Sequence, residues 1–372
     1  MDFQPGEPLT LYTISMLDSR RGWGIGQNLS LVMDHLLFTV DGGQIWMERS
    51  PQRMMEQTRP VLSLAVPTFA DERHAWVVYA SREPSYSLNQ LAVWSTSDSG
   101  ETWEESQPLS FGDLSLEMLI PSDLGFSDLQ HGWLMVHLGG GENEDSIAIF
   151  TSSDGGASWR RVADIRHGGL GIRCRKSGLF FVDPQHGWLT GDCSGKTPGV
   201  YFYTTSDGGQ SWRLVSLSDP QDTPGLLKYP ENACMAEQLS FSGSQNGRLV
   251  VRCTLPGSGM ARTWLYFTRD GGKTWAPQAA PSLFGNYQFL DPLAGWWLGA
   301  PQTNGVEGAG LYRTGDGGKT WTQIISPAWL GAPDFIDAEN GYVVARAGDA
   351  VALLVTKDGG RTWETIQPLA QP

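Results

Sequence analysis

Apolar residues in this chain occur in short runs that are bounded by glycine, proline, aspartate or asparagine. One region shows the pattern clearly, with runs at residues 179–182, 188–191, 200–204 and 212–215 separated by turn residues. Short runs rich in aromatic and β-branched side chains predict strands. The region therefore predicts a sheet of four antiparallel strands, and no long stretch of the chain has the apolar spacing of a helix.

A turn motif that recurs seven times identifies this region as one unit of a repeat. Each copy begins with an aspartate, and glycine follows two residues later and tryptophan five residues later. The aspartate side chain can accept hydrogen bonds from the backbone of the turn, glycine permits a positive φ, and tryptophan covers the turn. The seven aspartates are Asp41, Asp98, Asp154, Asp207, Asp270, Asp316 and Asp358.

A second turn motif precedes each copy of the first. It places glycine or alanine four residues after its first residue, and an aromatic residue or arginine directly after that. The two motifs alternate strictly, which predicts two hairpin turns in every unit. The first residues of the second motif are Asp18, Asp71, Asp128, Asp183, Gly243, Asp291 and Asp337.

Four antiparallel strands in each of seven units predict an all-β fold, a single seven-bladed β-propeller over residues 1–372. The chain opens near strand A of the first unit and ends in strand D of the last, with no evident strand exchanged between the ends. The blades are expected at about residues 8–50, 60–107, 118–165, 174–217, 234–278, 284–325 and 332–368.

The order of the strands assigns the connections to two faces. Both short motifs connect strands on one face, here called the turn face, and the longer connections lie on the opposite face, the loop face. Functional residues are found disproportionately on such variable loops. The long segments on the loop face are 81–90, 105–118, 137–147, 216–236 and 299–309.

Charge and composition exclude some functions. The net charge of −14 disfavours nucleic-acid binding, which needs clustered lysine and arginine. No apolar run is long enough to span a bilayer. Residues 1–6 lack the features of a signal peptide, so we expect either a cytosolic protein or one whose export segment has been removed.

The first motif resembles the Asp-box of the bacterial-neuraminidase (BNR) repeat, which occurs in sialidases, xyloglucanases and sortilins. Combined with the second motif, over about residues 11–368, the chain resembles the photosystem II stability/assembly-factor family of seven-bladed propellers and its bacterial relatives. The resemblance implies the propeller fold, and it implies an assembly role more weakly because the shared motifs are structural.

Candidate catalytic and metal-binding groups find little support. Seven Asp-box carboxylates spread around a ring cannot meet at one site, and are expected to be structural. Residues 315–320 resemble a phosphate-binding loop, but Arg313 stands where that motif needs glycine. No G-x-S-x-G elbow is present. We expect no cofactor or metal; the histidines are three turn residues, His74, His131 and His186, and three without ligand spacing, His35, His137 and His167.

Two groups of residues are candidates for binding. One is a basic island, in which Arg173 and Arg175 are the candidates for contact with an anionic partner. The alternative is that the island is a solvated loop whose charges balance those of neighbouring blades. The other is a set of aromatic residues in the loops: Tyr86, Phe111, Tyr229 and Trp329. The basic island consists of Arg160, Arg161, Arg166, His167, Arg173, Arg175 and Lys176.

The four cysteines occupy equivalent positions in two consecutive units. Cys174 and Cys193 are 19 residues apart, as are Cys234 and Cys253, and each pair brackets strands A and B. The start of strand A lies beside the end of strand B, which brings each pair within reach of a disulfide. We therefore expect disulfides 174–193 and 234–253 rather than four free thiols, and hence an oxidising compartment outside the cytoplasm.

These observations favour a non-catalytic, extracytoplasmic, monomeric scaffold that binds a protein partner and assists assembly of a membrane complex. The alternative is a carbohydrate-active protein, either a glycoside hydrolase or a sugar-binding module of the Asp-box type. Hydrolysis would require two carboxylates on the loop face, about 5–10 Å apart.

Overall fold

A computed structural model describes residues 3–27, 33–52, 63–81, 91–193, 196–255, 261–301 and 306–371. It confirms the predicted fold: seven sheets, each of four antiparallel strands, with one additional strand on the first sheet. No helix in the described part of the chain is long and apolar enough to cross a membrane.

The first three blades contain twelve strands, which are labelled in chain order. Blade 1 has β1 (Thr10–Met16), β2 (Gly22–Gln27), β3 (His35–Thr39) and β4 (Ile45–Glu48). Blade 2 has β5 (Ser63–Phe69), β6 (Ala75–Ser81), β7 (Val93–Thr96) and β8 (Glu104–Glu105). Blade 3 has β9 (Ile120–Phe126), β10 (Gly132–Gly139), β11 (Ser146–Ser152) and β12 (Arg160–Asp164).

The remaining blades follow the same order. Blade 4 has β13 (Arg175–Phe181), β14 (Gly187–Asp192), β15 (Tyr201–Thr205) and β16 (Arg213–Leu214). Two 3-10 helices, Leu226–Lys228 and Pro230–Asn232, precede blade 5 with β17 (Cys234–Ser242), β18 (Asn246–Thr254), β19 (Ala261–Thr268) and β20 (Ala276–Ala279). Blade 6 has β21 (Phe284–Phe289), β22 (Gly295–Ala300), β23 (Gly310–Thr314) and β24 (Thr322–Ile325). Blade 7 has β25 (Pro333–Phe335), β26 (Gly341–Ala347), β27 (Ala350–Thr356) and β28 (Glu364–Ile366), and β29 (Leu369–Ala370) follows.

The core lies between the blades, and the second turn motif supplies its most regular contact. The residue that follows the motif's glycine or alanine packs against the residue that ends strand A of the next blade. Trp76 stacks on Phe126 with 3.8 Å between ring centroids, and Trp296 stacks on Phe335 at 3.9 Å. Where arginine replaces tryptophan, the Arg248 guanidinium lies 4.8 Å above the Phe289 ring.

The same residue also donates a hydrogen bond across the interface. Six blades have this bond to a backbone carbonyl of the next blade, and Tyr342 of blade 7 reaches Ser19 of blade 1 in this way. We call this combined packing and hydrogen bond the interblade latch. The donor and acceptor pairs are Trp23–Asp71, Trp76–Gly155, Trp133–Leu179, Arg248–Pro292, Trp296–Gly359 and Tyr342–Ser19.

The ring is closed by a strand that the sequence did not reveal. We expected the chain to end in strand D of blade 7, but β29 continues past it and pairs in parallel with β4 of blade 1. The Leu369 N–H donates to the Gln44 carbonyl and the Ala370 N–H to the Glu7 carbonyl. The expectation was wrong because a two-residue strand is too short to show an alternating pattern.

Strand A carries a β-bulge near the loop face in four blades. The residues at the bulge stand opposite no residue of strand B, and a bulge re-aims its side chain. In blades 1, 3 and 4 the bulge residue is exposed. The bulges lie at Tyr12, Ser122, Ser177 and the pair Glu237 and Gln238.

Candidate functional site

The Asp-box carboxylates are taken up in the turns of the turn face. In blade 5, Asp270 accepts hydrogen bonds from the Thr274 N–H at 2.9 Å and from the Thr268 hydroxyl at 2.7 Å. The Thr268 oxygen in turn accepts the N–H of Gly272, whose φ is +80°. The hydrogen bond from the Thr274 N–H is the main cause that lowers the pKa of Asp270 to about 2. The carboxylate is therefore fixed in its ionised, turn-stabilising form.

The turn histidines are bound to the aspartates of their own turns. In each case Nδ1 lies 2.9 Å from the carboxylate of the residue three positions earlier, and the three sites belong to three different blades. Within the described residues, no group of three or more histidine, cysteine or acidic side chains is placed to hold a metal ion. The pairs are His74–Asp71, His131–Asp128 and His186–Asp183.

The predicted disulfides are present on the loop face. Cys174 is bonded to Cys193 in blade 4, and Cys234 to Cys253 in blade 5, with Cα–Cα distances of 4.4 and 4.0 Å. Each bridge joins the start of strand A to the end of strand B. All four cysteines are buried, so the bridges belong to the frame of the loop face rather than to its exposed surface.

The basic island does not form one surface. Arg166 is paired with Asp113 at 2.7 Å, and Arg161 lies 3.4 Å from the Asp164 carboxylate. Lys176, which was expected to belong to the island, is 3% exposed. Its ammonium donates to the carbonyls of Asp145, Gly171 and Arg173, and burial lowers its pKa to about 8.

Arg173 and Arg175 are the members of the island that remain available on the loop face, whereas Arg160, also exposed, begins β12 next to the turn face. Both are exposed, and neither forms an ion pair with another described residue. The segment 171–175 that carries them, here called the Arg173 segment, is held against residues 143–145. The Asp145 N–H donates to the Ile172 carbonyl, and the Cys174 N–H donates to the Asn143 carbonyl.

The aromatic candidates have different environments. Tyr229 is 50% exposed on the loop before blade 5, with the Lys228 ammonium 5.6 Å from its ring centroid. Trp329 is partly buried against Trp363. The expectation for Phe111 was wrong, because it is buried and packs edge-on against Phe150 in the core. Tyr86 lies outside the described residues.

Blade 3 brings together three residues that the sequence did not single out as a group. His137 on strand B lies between Ser122 on strand A and Asp145 at the start of strand C. Its Nδ1 is 2.8 Å from Asp145 Oδ1, and its Nε2 is 3.2 Å from Ser122 Oγ. We call these residues the Ser122 cluster.

A cavity of about 420 Å³ opens between blades 6, 7 and 1 on the loop face. Its polar lining includes Tyr12, Asn286, Asp334 and Arg346, and the Arg346 guanidinium lies 5.4 Å from the Tyr12 ring centroid. Asp334 accepts a hydrogen bond from the Met16 N–H at 2.7 Å, and burial raises its pKa to about 6.

The sequence-family model of the BNR/Asp-box repeat matches residues 266–277, which contain the Asp-box of blade 5. The chain carries the BNR/Asp-box repeat. None of the curated protein sequences compared with this Asp-box propeller matches it significantly.

Two solved structures share the fold of this Asp-box propeller. YCF48 from Cyanidioschyzon merolae aligns with 17% identity and a TM-score of 0.50, over 96% of this chain and 98% of its own. The GH74 xyloglucanase from Xanthomonas campestris aligns with 13% identity and a TM-score of 0.60. It covers 100% of this chain, which spans 55% of the xyloglucanase. Identities this low establish a shared fold and do not establish a shared function, which has to be argued from the residues of the site.

The Ser122 cluster was missed because its members come from three strands with no shared spacing. The signal that could have found His137 is its place in the repeat, five residues after the glycine that opens strand B. Asp192 and Arg252 occupy that place in blades 4 and 5, which marks it as variable within an otherwise regular strand.

Proposed function

We propose that this Asp-box propeller is an extracytoplasmic scaffold that binds a protein partner through the loop face around the Arg173 segment. The observation that carries the proposal is an exposed segment with available guanidinium groups on a rigid support. The segment is fixed by the Cys174–Cys193 disulfide, by two backbone hydrogen bonds and by the Lys176 ammonium. A surface that is ordered before binding loses little conformational entropy on association.

The chemistry of this surface suits a protein rather than a nucleic acid. Arginine and tyrosine are enriched at protein interfaces, where each contributes apolar area together with hydrogen-bond donors. Besides Arg173 and Arg175, the loop face exposes Tyr229 and part of Ile172. A net charge of −14 opposes binding to nucleic acid.

The proposed location rests on the disulfides. Structural disulfides persist in oxidising compartments and are rare in the cytosol. An assembly role for a membrane complex is supported by the resemblance of the paired turn motifs to the photosystem II stability/assembly-factor family. The fold shared with YCF48 is consistent with that role.

Site-specific crosslinking tests the binding role. A photo-crosslinking residue at position 229 should give one discrete adduct in the membrane fraction of the source cells. Arg173→Glu combined with Arg175→Glu should weaken capture at least tenfold, because these groups lie in the proposed interface. The matched control is Arg20→Glu, an exposed arginine on the turn face. Equal loss in both variants, or adducts that survive the Arg173/Arg175 change, would contradict the proposal.

A second candidate, sugar binding, is favoured by the cavity between blades 6, 7 and 1. Tyr12 offers a ring for stacking, and Asn286, Asp334 and Arg346 offer groups that hydrogen-bond to hydroxyls. Asp334 is the single carboxyl among the described residues that line the cavity, whereas glycoside hydrolysis normally uses two. Titration against a glycan panel tests this candidate, and Asn286→Ala should abolish any binding that the cavity provides.

A further inference from the structure

The Ser122 cluster has the connectivity of a nucleophilic serine site. A hydroxyl meets one nitrogen of an imidazole, and a carboxylate meets the other, at 3.2 and 2.8 Å. We propose that Ser122 is an activated nucleophile that accepts acyl groups from activated esters, with His137 as its general base and Asp145 as the positioning residue. This proposal is independent of partner binding through the Arg173 segment.

The Asp145 carboxylate is fixed from its far side. Its Oδ2 accepts the Lys176 N–H at 2.8 Å, while Oδ1 faces His137. Asp145 is buried, so water does not compete strongly for the imidazole. With the carboxylate as acceptor, His137 Nδ1 carries the proton, and the lone pair of Nε2 is directed at the Ser122 hydroxyl.

The bulge makes Ser122 accessible. Ser122 is exposed, and it stands opposite no residue of strand B. The equivalent bulge residue in blade 4, Ser177, has different partners. Its hydroxyl lies 3.2 Å from Thr190 Oγ1 and 3.3 Å from the Ala236 carbonyl. Blade 4 therefore provides a serine in the same backbone setting without an imidazole, which is a matched control within the same chain.

Asp123 is the other acid that faces the hydroxyl of Ser122 and the His137 ring. Burial raises the pKa of Asp123, and a hydrogen bond with the Ser122 side chain lowers it. Asp123 therefore shares the Ser122 hydroxyl with His137 Nε2.

The reaction balances with groups that the chain supplies and water. Ser122 Oγ forms a bond to the acyl carbon while its proton passes to His137 Nε2. The bond from the acyl carbon to the leaving-group oxygen breaks, and the leaving group takes the proton from His137. In the second step water attacks the acyl carbon while His137 Nε2 takes its proton. The bond from the acyl carbon to Ser122 Oγ then breaks, Oγ takes the proton from His137, and the acid is released.

The contacts of the described residues assign no donor to the oxyanion of a tetrahedral intermediate. In serine hydrolases the loss of one such donor slows the reaction by about 100- to 1000-fold. The expected substrates are therefore electrophiles with good leaving groups, such as p-nitrophenyl acetate and fluorophosphonates, rather than peptide bonds.

A fluorophosphonate probe tests the proposal directly, because Ser122 Oγ would bond to phosphorus as fluoride leaves. Mass spectrometry of the labelled, folded protein should find the adduct on Ser122. Ser122→Ala should abolish it, His137→Gln should slow labelling at least tenfold, and Ser177→Ala should label like the wild type. Melting temperatures of all variants, measured in parallel, show that each is folded.

Asp145→Asn separates positioning from structure. The labelling rate should fall, and the acid limb of its pH profile should move to lower pH, because the imidazolium loses a neighbouring negative charge. Asp123, Asp145, Lys176 and Tyr201 are titratable groups packed around this site. A purely structural role would lower the melting temperature and leave the acid limb in place. Labelling at His137→Gln as fast as in the wild type, adducts spread over other residues, or no adduct at Ser122 would each overturn the proposal.

Discussion

The two faces of this propeller connect the same strands, but the connections are nearly identical on one face and variable on the other. On the turn face, every blade repeats one arrangement, in which a hydroxyl, a carboxylate and a glycine close the Asp-box turn. The interblade latch also starts on this face, at the first residues of strand B. On the loop face, loop length varies among the blades, and bulge positions carry residues as different as Tyr12 and Ser122. Repetition therefore marks the part of the molecule that secures the fold, and the places where it fails mark candidates for function.

The acids of the two faces show the same contrast. On the turn face, hydrogen bonds from the turn lower the pKa of Asp270 and Asp316 to about 2. Near the loop face, burial raises the pKa of Asp123 and of Asp334. Ionisation of Asp270 and Asp316 therefore stabilises the folded state, whereas ionisation of Asp123 and Asp334 destabilises it.

The largest effect on the free energy of unfolding is expected from removing the strand that closes the ring. Ending the chain after Gln367 removes the hydrogen bonds that residues 368–371 make with residues 6–9 and with Gln44 and Trp46. At about 1 kcal/mol for each bond, the free energy of unfolding should fall by roughly 3–5 kcal/mol. Denaturant unfolding measures this, with Gln367→Ala, an exposed position, as the control. A fall below about 1 kcal/mol would show that the latches alone close the ring.

The disulfides test how far the loop face depends on supports outside the repeat. Replacing Cys174 and Cys193 together by alanine opens a short loop, and the free energy of unfolding should fall by about 3 kcal/mol. Reductant should then affect the variant only through the 234–253 bridge. Equal stability of wild type and variant without reductant would contradict a structural role for the bridge.

An Asp-box is expected to contribute less than either of these. Asp270→Ala removes one turn's hydrogen bonds and should lower the free energy of unfolding by about 1–2 kcal/mol. Because the pKa of Asp270 is below that of an unfolded aspartate, its contribution is present above about pH 4 and is lost as pH falls toward 2. The control is Asp222→Ala, which breaks an exposed pair with Arg262 on the loop face and should cost less than about 1 kcal/mol. A larger loss at Asp222 than at Asp270 would reverse the comparison between the faces.

Much of the turn face could be predicted from the sequence, because its structure is set by local chemistry that recurs. The Asp-box aspartates and the turn histidines follow from residue spacing within a unit, and so do the two disulfides that support the loop face. The interblade latch could not be predicted in this way. The tryptophans are visible in the sequence, but their acceptors, such as Gly155 for Trp76, lie in the next blade and share no spacing with them.

The loop face was predicted least well, because its contacts join segments of different lengths. Phe111 lies in a long loop that turns back into the core, so its position in the sequence suggested exposure where the fold provides burial. Lys176 stood in a basic run, yet three carbonyls of neighbouring segments surround its ammonium. His137 and Asp334 gained their significance only from residues on other strands or blades.

One effect has the opposite sign, and it concerns Asp334 in the cavity between blades 6, 7 and 1. The folded pKa of about 6 lies above that of an unfolded aspartate, so the folded state binds the proton more tightly. Stability that is present below about pH 4 is therefore lost as pH rises through 6. Asp334→Asn keeps an oxygen that can accept the Met16 N–H and removes the charge. The variant should match the wild type at pH 4 and exceed its free energy of unfolding by up to about 3 kcal/mol at pH 8. Urea titrations at the two pH values measure this difference. If Asp334→Asn were less stable than the wild type by the same amount at both, the carboxylate would be stabilised by its hydrogen bond, as on the turn face.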